Sequence, residues 1–87
     1  NSPSIIDSLG WVLFKLGRIQ EALTYLEQAY SIVSDPEIAA HLGEVYWVLG
    51  NSERALELWS QTLEQHPNHR EIVQTMVRLG ASASITP

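Results

Sequence analysis

Cysteine is absent from the 87 residues, which excludes disulfides and thiolate metal sites. Basic residues are scarce: Lys15, Arg18, Arg54, Arg70 and Arg78 stand against ten acidic residues, for a net charge of −5. They are scattered, each with acidic residues nearby, whereas phosphate binding needs clustered Lys and Arg, so no nucleic-acid partner is expected. Long apolar runs are also missing. None approaches the roughly 18–20 residues of a membrane span, and no signal-peptide pattern opens the chain. A composition without cysteine suits the cytoplasm and the periplasm alike, so the compartment stays open. The chain opens at Asn1 without a methionine and is expected to be a segment of a longer parent.

What is present repeats. Shifting the chain by 33 places Pro3 on Pro36, Ile5 on Ile38, Leu9 on Leu42, Gly10 on Gly43 and Val12 on Val45. The same shift places Leu16 on Leu49, Gly17 on Gly50, Ala22 on Ala55, Leu23 on Leu56 and Gln28 on Gln61. Self-similarity at a fixed period of this length marks stacked helical units. The chain therefore divides into unit 1 (3–35), unit 2 (36–68), a closing helix (69–80) and a tail (81–87) expected to be flexible.

Each unit reads as two helices. Ser2 and Asp35 stand where N-caps belong, each followed by a proline, the residue favoured at the first helical position. Gly17 and Gly50 close the first helices, where a left-handed residue is favoured. Ile19, Ala22, Leu23, Leu26, Ala29, Tyr30 and Val33 then trace an amphipathic stripe, repeated by Ala55, Leu56, Trp59, Thr62, Leu63 and His66. The expected helices are 3–16, 19–33, 36–49, 52–65 and 69–79, an all-α chain.

Gly10 and Gly43 fall inside helices, where each costs roughly 1 kcal/mol relative to Ala. Both recur with a small residue in the following helix, Ala22 or Ala55, which points to close helix approach. In the closing helix Met76 takes the glycine's place, as expected where no second helix follows. Asn68 and Glu71 have capping-box spacing, and Arg70, Gln74 and Arg78 are expected to face water on the uncovered side.

These spacings resemble the tetratricopeptide repeat, whose pattern is W-x2-L-G-x2-Y, A-x3-F and P over about 34 residues. Unit 2 supplies Ala39, Leu42, Gly43, Tyr46, Ala55, Trp59 and Pro67. Unit 1 supplies Ile6, Leu9, Gly10, Leu13, Ala22 and Leu26, but has Ser34 where the proline would fall and is one residue short. The resemblance implies an alpha-alpha superhelix acting as a protein-interaction scaffold. Residues 7–11 and 35–45 are further similar to the last repeats of long bacterial tetratricopeptide lipoproteins. That likeness implies the periplasmic face of the outer membrane and a scaffold for a processing protease and cell-wall hydrolases.

In such arrays the first helix of each unit lines a concave groove. The resemblance places Asp7, Trp11, Phe14 and Lys15 there from unit 1, and Ala40, Glu44, Trp47 and Val48 from unit 2. His41 falls at the margin, and the closing helix adds Val73 and Val77. Ile6, Leu9, Gly10 and Leu13 are assigned to the core within unit 1. Exposed aromatics suit an apolar or extended protein or peptide segment, although the same rings could simply pack on neighbouring helices. The groove lacks the Lys and Asn set that clamps a partner's C-terminal carboxylate, with Lys15 its lone basic residue beside Asp7 and Glu44. The open side of unit 1 is expected to pack on an upstream repeat or on a second copy. The other reading is a structural cap whose parent binds ligands upstream.

Chemistry has thin support. His66 and His69 flank the Pro67–Asn68 turn with Glu64 and Glu71 nearby, but no third ligand set converges, so no metal or cofactor is expected. Asp7, Ser8 and His41 could be imagined as a hydrolase triad, yet regular helices supply no oxyanion hole. No catalytic residue is assigned.

Overall fold

The computed structural model describes residues 2–81. These form α1 (Pro3–Lys15), α2 (Ile19–Ile32), α3 (Pro36–Val48), α4 (Ser52–Gln65) and α5 (Arg70–Leu79), with no strand among the described residues. α1, α3 and α5 make one layer. α2 and α4 back it from the other side, α2 against α1 and α3, and α4 against α3. The chain is thus two helical hairpins plus a closing helix.

The helix ends show why the hairpins turn where they do. Gly17 and Gly50 have φ of 85° and 87°, a conformation that glycine adopts without a Cβ penalty. At the first, Arg18 N–H donates to Leu13 C=O at 2.9 Å and Gly17 N–H to Phe14 C=O at 3.0 Å. At the second, Asn51 donates to Tyr46 and Gly50 to Trp47 at 2.9 and 3.0 Å. This paired closure satisfies the last carbonyls of each helix. α5 ends the same way, with Ala81 N–H donating to Met76 C=O at 2.7 Å. Ala81 is fully buried, so it belongs to the cap and not to a flexible tail; residues 82–87 lie outside the described residues.

The N-termini differ from one another. Asp35 accepts from Glu37 N–H at 2.8 Å, but Ser2 makes no side-chain cap, its hydroxyl lying 3.1 Å from that of Ser4. The capping box expected at Asn68 does not form. His69 is the N-cap of α5, without a side-chain bond, and the Glu71 carboxylate lies beside His41 on α3.

The core runs through the hairpin crossings. Ala22, Leu26 and Ala29 of α2 are fully buried, as are Ala55 and Trp59 of α4. A Cβ placed on Gly43 would stand 2.1 Å from the Trp59 ring nitrogen, so Trp59 lies flush on bare backbone. At Gly10 the corresponding contact is Leu26, 2.9 Å away. Leu9, assigned to the core by sequence, is exposed: its side of α1 faces no other described helix, while the matching side of α3 faces α2. α5 leans chiefly on α3, and Ile72 and Met76 join the buried cluster that contains Trp59.

Candidate protein-binding face

The layer of α1, α3 and α5 brings most of the expected groove residues together, with His41 at their centre and not at the margin. Its Nδ1 lies 2.9 Å from Asp7 Oδ1 on α1, and its Nε2 lies 3.3 Å from Glu71 Oε2 on α5. A neutral imidazole donates from one nitrogen alone, so it can serve one of the two carboxylates at a time. The ring stacks on Trp11, with centroids 4.1 Å apart and planes 18° apart. Trp11 also stacks on Phe14 at 4.9 Å, and Lys15 Nζ stands 4.9 Å from its centroid. Such a cation–π contact at an exposed site contributes roughly 0.5–1 kcal/mol.

Glu44 is almost completely buried and takes a bidentate ion pair from Arg78, at 3.0 and 2.5 Å. Hydrogen bonding to Glu44 raises the Arg78 guanidinium above its already high value, with burial opposing. Arg78 reaches across to α3 while staying half exposed to water, and Arg70 and Gln74 are exposed as expected. Two predicted groove residues are closed off: Ala40 and Glu44 are buried. Trp47 is half-buried, its ring 6.0 Å from that of Trp59. Val48, Val73 and Val77 remain exposed. Sequence reasoning missed Glu71 and Arg78 as members of this face, although both lie on the α5 side that succeeds Ile38 and Val45 in the repeat.

Where α3 meets α2 and α4, Tyr46 Oη donates to Glu27 Oε2 at 2.7 Å, and Arg54 sits 5.2 Å from the ring. Burial pushes the Tyr46 phenol above its usual value, Glu27 adds to this by hydrogen bond and charge, and Arg54 partly reverses it.

The remaining candidates stay apart. Asp7 and His41 meet, but Ser8 is exposed and takes part in no hydrogen bond with them among the described residues. His66 and His69 stand edge to face at 6.3 Å, and no three potential ligands converge on a metal position among the described residues. A cleft of about 220 Å³ beside Pro3, Asp7, Val33 and Ile38 is smaller than the roughly 300 Å³ at which ligand pockets begin. No described helix is long and apolar enough to cross a membrane.

Paired helices, recurring glycine notches and a layer of first helices make a repeat architecture, and comparison with known families agrees. A tetratricopeptide repeat model matches residues 13–79. The chain belongs to the tetratricopeptide repeat family. It is also similar to a TPR repeat-containing protein of Pseudomonas aeruginosa, 46% identical over 44 residues, which are 51% of this chain and 8% of that relative. The tetratricopeptide fold makes the chain a protein–protein interaction module in kind, in a family whose members are typically scaffolds.

Proposed function

We propose that the α1–α3–α5 face binds an uncharged, apolar segment of a partner protein in extended form. The observation that supports this reading is that the polar groups of the face already have partners within it: Asp7 and Glu71 both lie against His41, and Glu44 pairs with Arg78. What remains for a ligand is Trp11, Phe14, Val48, Val73 and Val77, edged by Lys15. An arriving charged group would have to break an ion pair already made, whereas an apolar one gains contact area directly.

The test is selection of peptides from a random display library on the intact chain, followed by indole NMR shifts on adding a selected peptide. Apolar peptides that move the Trp11 signal and are lost on Val48→Glu and Val77→Glu substitution support the reading. Acidic or basic consensus peptides, or shifts confined to the α2–α4 layer, reject it.

A second reading has its own observation. Trp47 rests near Trp59, Phe14 stacks on Trp11, and Ala40 and Glu44 are buried, as suits a purely structural closing segment of a longer array with ligands bound upstream. For the compartment, the likeness of residues 7–11 and 35–45 to outer-membrane lipoprotein repeats supports the periplasm. Cell fractionation of the parent protein checks it.

A further inference from the structure

α2 and α4 each pack on α3 and hardly on each other, which leaves a furrow between them. Two clefts of about 180 and 160 Å³ run together there, since both are lined by Tyr30 of α2 and Gln61 of α4. The first continues over Leu42, Tyr46 and Leu58 to Arg54, and the second ends at Ser34, Gln65 and His66. From Arg54 to His66 the furrow follows α4 for about 18 Å, at 1.5 Å per residue. Each cleft alone is smaller than the roughly 300 Å³ of a small-molecule pocket. Joined end to end, they suit a length of chain that keeps one side in water.

The α4 wall of this furrow carries Glu57, Gln61 and Gln65, all exposed and four residues apart. Such residues form one column on a helix, about 6 Å from each to the next. None of the three enters a side-chain hydrogen bond among the described residues, whereas neighbouring Thr62 spends its hydroxyl on the Leu58 carbonyl at 2.8 Å. A carboxamide offers an acceptor and a donor side by side, the complement of one peptide unit. Along an extended chain the main-chain groups of one edge recur every second residue, about 6.6–6.8 Å apart. The two spacings therefore agree within about 1 Å per step.

We infer that the α2–α4 furrow binds an extended segment of a partner protein by its main chain. Gln61 and Gln65 pair alternate peptide units, and small uncharged side chains face the floor. The shallow floor over Leu42 and Leu58 has no room for large ones, and Arg54 and Glu57 at its edge carry opposite charges. A helix is a poorer occupant: its N–H and C=O groups are spent internally, so the amides would lose water and gain no partner. A second copy of the chain offers only helices among its described residues and fails for the same reason. The furrow shares no residue with the face of Trp11, Val48 and Val77, so it stands or falls independently of the reading above.

The experiment selects short peptides from a random display library on the intact chain carrying Val48→Glu and Val77→Glu, which disable the other face. Recovered peptides are expected to shift the side-chain NH2 signals of Gln61 and Gln65 in NMR spectra. Gln61→Ala and Gln65→Ala should each weaken them by about three- to tenfold, the worth of one hydrogen bond. Both residues are exposed, so the melting midpoint stays unchanged. N-methylation of every second residue of a recovered peptide should cost at least about tenfold, and N-methylation of the intervening residues little. Peptides indifferent to both glutamines, or no recovered peptide at all, overturn the furrow as a binding site. Equal loss from both N-methylation patterns, or a peptide bound as a helix, overturns main-chain recognition. A dimer of the chain that Gln61→Ala dissociates assigns the furrow to a second copy and overturns the proposal.

Discussion

The two glycine notches look alike in sequence but accept different keys. At Gly43 an added methyl would meet the Trp59 indole at 2.1 Å; at Gly10 it would meet Leu26 at 2.9 Å and the Ala22 carbonyl at 3.3 Å. A branched aliphatic chain can shift where a fully buried bicyclic ring cannot. Gly43→Ala is expected to lose about 2–3 kcal/mol, from overpacking that outweighs roughly 1 kcal/mol of helix propensity. Gly10→Ala should lose less than half of that in the same urea titrations. Trp59 adds a second cost, because its buried ring N–H has no acceptor among the described residues, a deficit of about 1–3 kcal/mol. Trp59→Phe should therefore stay within about 1 kcal/mol of the native stability, while Trp59→Ala loses about 3–5 kcal/mol. The notches were legible in the sequence because both glycines recur at one offset with a small residue in the next helix. The orphaned indole was not legible, since nothing in a stripe of apolar residues tells which way a ring nitrogen points.

Between elements, the chain relies on a few polar links laid across apolar contacts. Arg78→Ala strands the buried Glu44 carboxylate and should loosen α5 by about 2 kcal/mol, below the usual figure for a broken buried pair because Arg78 is half exposed. Faster amide exchange confined to α5 and the facing side of α3 would show it, and Glu44→Gln combined with Arg78→Met should restore most of the loss. Between α3 and α2, the folded chain holds the Tyr46 proton more tightly than the unfolded chain does. That contribution is complete below about pH 10, the phenol's ordinary value, and disappears as pH rises through the folded-state value. Tyr46→Phe should flatten this alkaline loss in denaturant titrations across pH. Element boundaries were readable within a residue or two from proline, glycine and periodicity. The partner of α5 was not. Helical spacing shows that Glu71, Thr75 and Arg78 share a side, but it cannot say that this side meets His41 and Glu44 and not water. The capping box at Asn68 failed for the same reason, since Glu71 lies against a residue thirty positions away.

For the molecule as a whole, stability should rise toward the middle. α3 is covered by α1, α2, α4 and α5, whereas one side of α1 and the far side of α5 meet no described helix. A linear stack of units loses protection at its ends first. Native-state hydrogen exchange is expected to rank α3 and α4 slowest, with α5 and the N-terminal turn of α1 fastest; uniform protection would contradict this. The two-hairpin architecture followed from the offset of 33 alone. The shape of the candidate face did not, because burial of Ala40 and Glu44 depends on how closely successive first helices approach.

His41 gives this stack a wiring that simple nearest-neighbour addition lacks. Asp7 and Glu71 lie in the first and last helices, and both address one imidazole in the middle one. When that ring carries a single N–H, the two ends of the chain compete for it: whichever carboxylate wins, the other faces a lone pair. Tightening the first hairpin is then expected to loosen the closing helix, an antagonism carried by one shared imidazole.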